Sequence, residues 1–211
     1  MSLKGHIFDY AAKRQPKLHG LRLAHKALAD LGWVESMNLG QPVDRKGNPL
    51  PWITYPAIHI LAQRVPKDAR VFEYGAGFST LWWAARVLSV NSCEHDDSWA
   101  ARVKSKSPSN AELMVRPLGA EYVGAIRSQG RFDIVVIDGR MRSECALESV
   151  DALTDRGIIV WDDTDRQRYK PTLERLTKER FSRLDLSGLA PASEFLSQTS
   201  ILYRQGNCLG L

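Results

Sequence analysis

Apolar positions recur along this chain with two different periods. Within about Asp9 to Leu39, the run LHGLRLAHKALADLGWV places them three and four residues apart, which predicts one or two short helices with Gly32 as a stop. The next segment, QPVDRKGNPLPW, holds Pro42, Pro49 and Pro51, with Pro56 close behind, and predicts a loop over 41–52. AIHILAQRV then resumes a helix that Pro66 ends.

From Arg70 the pattern changes to short β-rich runs separated by helical stretches. RVFEY, LSVNSCEH, AELMVRPL, RFDIVVIDG and GIIVWDD read as strands, and STLWWAARVL, DSWAARVKSK, AEYVGAIRSQ, RSECALESVDALTD and YKPTLERLTKERF as the helices between and after them. IVVI is a continuous β-branched run, as a strand covered on both faces requires. The last two strands, FSRLDLSGL and SQTSILYR, have no helix between them and are expected to pair antiparallel at one edge. The expectation is an α/β protein with a Rossmann-like seven-stranded, mostly parallel sheet, an antiparallel C-terminal strand pair and a helical N-terminal cap. Residues 1–65 would form the cap and a lid loop, and 66–211 the sheet domain.

Composition adds limits. A formal charge of +5 is spread over scattered Lys and Arg residues without a long basic block or aromatic interleaving, so nucleic acid is not the favoured partner and a small-molecule substrate is. Cys93, Cys145 and Cys208 have neither metal nor redox spacing and suggest a reducing compartment. With no run of about 18 apolar residues and no secretory pattern at the start, the reading is cytoplasmic, with no membrane span. Oligomeric state is not legible; a homodimer is compatible.

Candidate chemistry begins at VFEYGAGFST. Gly75 and Gly77 would let the backbone turn tightly beside a ligand, and the helix start after them offers free N–H groups. A dinucleotide fingerprint needs a third glycine where this chain has Thr80, and Glu73 would repel a pyrophosphate while accepting a hydrogen bond from an amine or attracting a cation. Glu73, Gly75, Ala76, Gly77, Ser79 and Thr80 are therefore candidate cofactor-binding residues. Glu94 and His95 join them, because an acid about 20 residues beyond such a turn holds ribose hydroxyls. The competing reading is that His95 to Ser98 merely cap the next helix.

On these residues the chain resembles the class I S-adenosylmethionine-dependent methyltransferases over about residues 66–204: EYGAG as the first motif, Glu94 as the ribose acid, FDIVVIDG as the fourth strand, and the closing strand pair. PWITYP, IDGRMR and DDTDR look like a bacterial subgroup. The resemblance implies S-adenosylmethionine as cofactor, its methionine part on the glycine turn, and methyl transfer to a small-molecule or sugar hydroxyl. Asp138, Asp162 and Asp163, at the ends of strands four and five, are similar to the metal ligands of catechol- and macrolide-sugar-type O-methyltransferases, and three carboxylates suit Mg²⁺, which would lower a hydroxyl pKa. Asp138, Asp163 and His59 are the catalytic candidates. Met141 stands where those relatives carry a Lys or His, while Arg140 and Arg142 could clamp an anionic group. Alternatively, Asp138 serves the cofactor pocket and Asp163 caps a helix. Trp82 and Trp83 are expected in the core, as is His59 if it is not catalytic; Trp52 and Tyr55 belong to the loop that would touch ligand. Two other readings stay open: a nucleoside-binding member of the fold without catalysis, and an RNA-modifying protein.

Overall fold

A computed structural model describes residues 15–211. Of the helical segment expected over about Asp9 to Leu39, the part before residue 15 lies outside the described residues. The described chain opens with α1 (Pro16–Leu31) and α2 (Trp33–Leu39), separated by Gly32 at φ 86°, as its placement in the sequence predicts.

The loop 41–52 is braced along its length. Buried Ser36 donates from Oγ to the Val43 carbonyl at 2.7 Å and accepts from the Val43 N–H at 3.0 Å. The Asp44 carboxylate accepts from the N–H groups of Lys46 and Asn48 and from the Asn48 side chain. Such a side-chain-mediated turn holds its shape without neighbouring strands. Beyond it, α3 (Tyr55–Arg64) begins with Pro56 in its first turn.

Seven strands then form one sheet in the order β3-β2-β1-β4-β5-β7-β6. β1 (Arg70–Tyr74), β2 (Ser89–Glu94), β3 (Ala111–Val115), β4 (Phe132–Ile137) and β5 (Leu153–Asp162) run parallel. β7 (Leu196–Tyr203) is antiparallel to both β5 and β6 (Ser182–Leu189). The connecting helices are α4 (Phe78–Ala84), α5 (Asp97–Lys104), α6 (Ala120–Val123), α7 (Arg142–Ser149) and α8 (Lys170–Lys178).

Strand alternation sorts the core into two layers. Val71, Ile134, Val136, Ile158 and Val160 face Trp82, Trp83 and Leu61 on one side; Phe72, Tyr74, Val135, Ile137, Ile159 and Trp161 face Tyr122, Cys145 and Leu173 on the other. Helix α3, assigned to the cap, buries Ala57, Ile58 and Leu61 in the first layer. The helix after β1 thus covers one face and the helix after β4 the other. Crossovers leave the adjacent strands β1 and β4 in opposite directions, which opens a crevice at their C-terminal ends. All three cysteines are buried and free, and among the described residues no helix is long and apolar enough to cross a membrane.

Three helices are shorter than their patterns predict. The Asn110 side chain donates to the carbonyls of Ala84 and Val87, closing α4 a turn early so that β2 can start. Gly124 converts the end of α6 into a 3₁₀ turn over Gly124–Ile126. Leu153 to Asp155, read as the tail of a helix, instead begin β5, with Leu153 opposite Phe132.

Candidate active site

At the tip of β1 the backbone passes against the tip of β4. Gly75 has φ 92°, and a Cβ there would lie 2.7 Å from Gly139 Cα, so this position excludes any side chain twice over. The strands stay bonded beyond their formal ends, Gly75 N–H to the Cys93 carbonyl at 2.9 Å and Asp138 N–H to the Tyr74 carbonyl at 3.1 Å. Gly77 differs: a Cβ would find only Ser79 and Trp99 atoms at 3.9 Å.

Glu73 lies beneath this turn, fully buried. Its Oε2 accepts from Thr80 Oγ1 at 2.5 Å and Ser92 Oγ at 3.0 Å, and Thr80 Oγ1 accepts from the Gly77 N–H at 3.0 Å. Glu73 and Thr80 therefore brace the glycine turn from below, and neither lines the cavity above it. Among the described residues Glu73 Oε1 has no hydrogen-bond partner. Burial pushes this carboxyl up to about 7, against the pull of the Ser79, Thr80 and Ser92 hydroxyls.

A cavity of about 500 Å³ lies over the turn, and Gly75, Ala76, Gly77 and Ser79 form its floor, with Glu94, His95 and Asp138 in its wall. Glu94 Oε1 accepts from the N–H groups of His95 (2.7 Å) and Asp96 (3.0 Å) and contacts His95 Nδ1 at 2.5 Å, and Oε2 has no hydrogen bond among the described residues. Capping of α5 falls to Asp96, whose Oδ1 accepts from the Trp99 N–H at 2.8 Å. The two readings of this acidic cluster thus divide between neighbouring residues. Trp99 is a site residue the sequence reading missed; its indole donates to the Ala76 carbonyl at 2.7 Å, tying α5 to the turn. Gln41, Pro42 and Trp52, from the braced loop, complete the wall.

Asp138, Asp162 and Asp163 do converge, but on a guanidinium. Arg142, the first residue of α7, donates from Nη2 to Asp138 Oδ1 (2.9 Å) and the Asp138 carbonyl (3.0 Å), from Nη1 to Asp163 Oδ2 (3.0 Å) and the Asp162 carbonyl (2.7 Å), and from Nε to the Gly139 carbonyl (3.0 Å). Asp162 Oδ2 is 3.6 Å from Nη1, and its Oδ1 accepts from Thr199 Oγ1. Arg166 adds a second cation to Asp163, at 2.6 Å. Burial pushes Asp138 up to about 7, with Arg142 opposing, and raises Asp162 as well.

These residues do not fit Mg²⁺. A hard cation needs their oxygens pointing at one open centre, and Arg142 fills that centre; among the described residues no group of three or more metal-ligating side chains is arranged for an ion. Nor does Arg142 clamp an anionic substrate, since all five of its N–H groups are spent on protein oxygens. Asp163 adopts φ 61° and uses its carboxylate on Arg142 and Arg166, not as a helix cap.

A second cavity of about 560 Å³ shares Trp52, Asp138 and Arg142 with the first and continues past Asp163 to Phe195 and Leu196. His59 lies apart from both cavities; it is exposed on α3 and bonded to Gln63 at 2.9 Å, neither catalytic in placement nor part of the core. Trp82 and Trp83 are core residues as expected, and Tyr55 is buried with them while Trp52 stays about half exposed.

The fit to S-adenosylmethionine is better. Its sulfonium, amine and ribose hydroxyls call for carboxylates, a turn free of side chains and an apolar wall. Glu94 Oε2, the Asp138 carboxylate, the open face of Gly77 and the Trp99 ring supply these in one cavity.

Comparison with known proteins points the same way. Residues 72–164 match a family of methyltransferase domains. No curated protein matches the chain by sequence. The fold is shared with precorrin-6y C5,15-methyltransferase from Geobacter metallireducens (14% identity, 71% of this chain and 87% of that one, TM-score 0.58). It is shared too with the O-methyltransferase TomG from Streptomyces achromogenes, involved in tomaymycin synthesis and solved in complex with SAM (14%, 70% and 78%, 0.56). An rRNA methylase from Streptococcus thermophilus is similar at 15% identity, over 74% of this chain and all of that one, with a TM-score of 0.54.

Proposed function

We propose that this chain, which matches methyltransferase domains over residues 72–164 and shares the fold of solved methyltransferases, methylates a hydroxyl of a small molecule, with Asp138 as the general base. One observation carries the reading: Asp138 lines both cavities, with Oδ1 held by Arg142 and Oδ2 given no hydrogen bond among the described residues.

S-adenosylmethionine, when bound, supplies a methyl group on a positively charged sulfur, a leaving group that needs no acid. What remains for the protein is to position two reactants and to take one proton. Glu94 Oε2 is suited to ribose hydroxyls, the backbone from Gly75 to Gly77 to the amino-acid part, and Trp99 to an apolar surface. Asp138 Oδ2 then accepts the acceptor's hydroxyl proton, and a base whose pKa lies near 7 is matched to that task at neutral pH. Trp52 lines both cavities and is placed to contact donor and acceptor alike. Phe195 and Leu196, both strongly exposed at the rim of the second cavity, favour an acceptor with an apolar flank, such as a hydroxylated ring or a deoxygenated sugar.

Incubation with the labelled donor and a panel of phenols and sugars tests this. Label is expected to move to an oxygen of at least one acceptor, and Asp138→Asn to lose that transfer while still binding donor. Donor binding without transfer to any acceptor would favour a nucleoside-binding protein; no donor binding would end the reading.

A further inference from the structure

We propose that Arg142 replaces a divalent cation at the heart of this site, holding Asp138, Asp162 and Asp163 together and keeping metal out. That the cluster serves methyl transfer rests on the function proposed above; the filling of its centre by Arg142 does not.

The geometry of the fork supports replacement over incidental pairing. Arg142 bonds two carboxylates and three main-chain carbonyls, drawn from the loop after β4 (Asp138, Gly139) and from the tip of β5 (Asp162). A hard cation bridging the two strand ends would gather this kind of all-oxygen set, at about 2.0 to 2.6 Å for Mg²⁺ or Ca²⁺. Here the oxygens stand 2.7 to 3.0 Å from nitrogen and are spread along a planar fork. They cannot close on an ion while the guanidinium is present.

The backbone is also shaped for this arrangement. Met141, the residue before Arg142, has φ 50°, and Asp163 has φ 61°; both are left-handed without being glycine. Such strain persists only where surrounding contacts hold it, and both residues flank the Arg142 cluster. Charge fits as well: the carboxylates of Asp138, Asp162 and Asp163 surround the Arg142 guanidinium, and Arg166 adds a second cation at Asp163. Arg142 acts as a positioning residue. It aims Asp138 by one oxygen and leaves the other free.

Mn²⁺ binding, followed by electron paramagnetic resonance on the whole chain without donor, tests the proposal. The wild type and Arg142→Lys, which keeps a cation in place, are expected to bind no Mn²⁺ at this cluster up to millimolar concentration. Arg142→Ala should bind it at least tenfold more tightly than wild type, and the double variant Arg142→Ala/Asp163→Asn should lose that gain. Wild-type transfer, once an acceptor is found, should withstand EDTA. Micromolar Mn²⁺ binding by the wild type that Asp163→Asn abolishes would overturn the proposal, as would a folded Arg142→Ala with no gain. Should Arg142→Ala not fold, the comparison of wild type, Arg142→Lys and Asp163→Asn still decides. Failure to bind donor would remove the methyl-transfer reading and leave the Mn²⁺ result intact.

Discussion

Thr80 Oγ1 donates to Glu73 Oε2 at 2.5 Å while accepting from the Gly77 N–H, so the hydroxyl after the glycine turn is spent on the carboxylate before it. That contact links the turn to a buried acid with a pH dependence of its own. Burial raises Glu73 from its ordinary 4.5 to about 7 in the folded state, so folding favours its protonated form. Its contribution to stability is therefore fully present below pH 4.5 and is lost as pH rises toward 7, a swing of about 3 kcal/mol. Thermal melts of the donor-free protein between pH 5 and 8 should show the decline, and Glu73→Gln should remove this part of it. An unchanged slope in Glu73→Gln would mean the carboxyl titrates normally.

The two glycines of the turn should respond differently to alanine. Gly75→Ala forces a Cβ onto Gly139 at φ 92° and is expected to cost about 1–3 kcal/mol or to prevent folding. Gly77→Ala has room within the protein, so its melting temperature should hold. Its methyl group would stand between Ser79 and Trp99 in the cavity and weaken donor binding, read by calorimetric titration.

Glu94→Gln keeps an oxygen for the His95 and Asp96 N–H groups but removes the charge from the free one. A charge-assisted hydrogen bond contributes about 1.5–3 kcal/mol, so donor affinity should fall about 10- to 100-fold with kcat little changed. A kcat effect with unchanged affinity would place Glu94 in the chemistry instead.

Asp138 must be ionised to accept a proton. Its pKa of about 7 predicts kcat rising with pH through neutrality and levelling above it. Asp138→Asn should lower kcat about 10²- to 10⁴-fold and flatten the profile. A wild-type rate independent of pH between 5.5 and 8.5 would exclude Asp138 as base.

Trp52 is half exposed and lines both cavities. Trp52→Ala should leave the melting temperature within about 1 °C, since little buried surface is lost, and should raise the acceptor KM more than the donor KM. A rise in the donor KM alone would show that the ring serves only the donor cavity.

Much of this was legible along the chain, because strand and helix periods are local. The strands appear where the β-rich runs predict them, with β5 starting early, and Glu94 lines the cavity at the expected distance from the glycine turn. The burial of Glu73 was missed, since the sequence places it at a strand tip as a cofactor contact; the signal was there, because it alternates with Phe72 and Tyr74 and shares the face of Val71, which the next helix covers. Trp99 had no such signal, since its bond to the Ala76 carbonyl joins residues 23 apart through the packing of α5.

By itself the amino-acid order determined the strands, the carboxylates at their ends and the side-chain-free turn, since each depends on neighbours in the chain and on backbone preferences. Only the tertiary structure decided what those carboxylates do. Asp138, Asp162 and Asp163 come from two strands whose adjacency is a property of the sheet, and whether they surround an ion or Arg142 depends on where α7 starts above them. Electrostatic roles depend on distances of a few ångströms and on exclusion of water, and neither is written in spacing along a sequence.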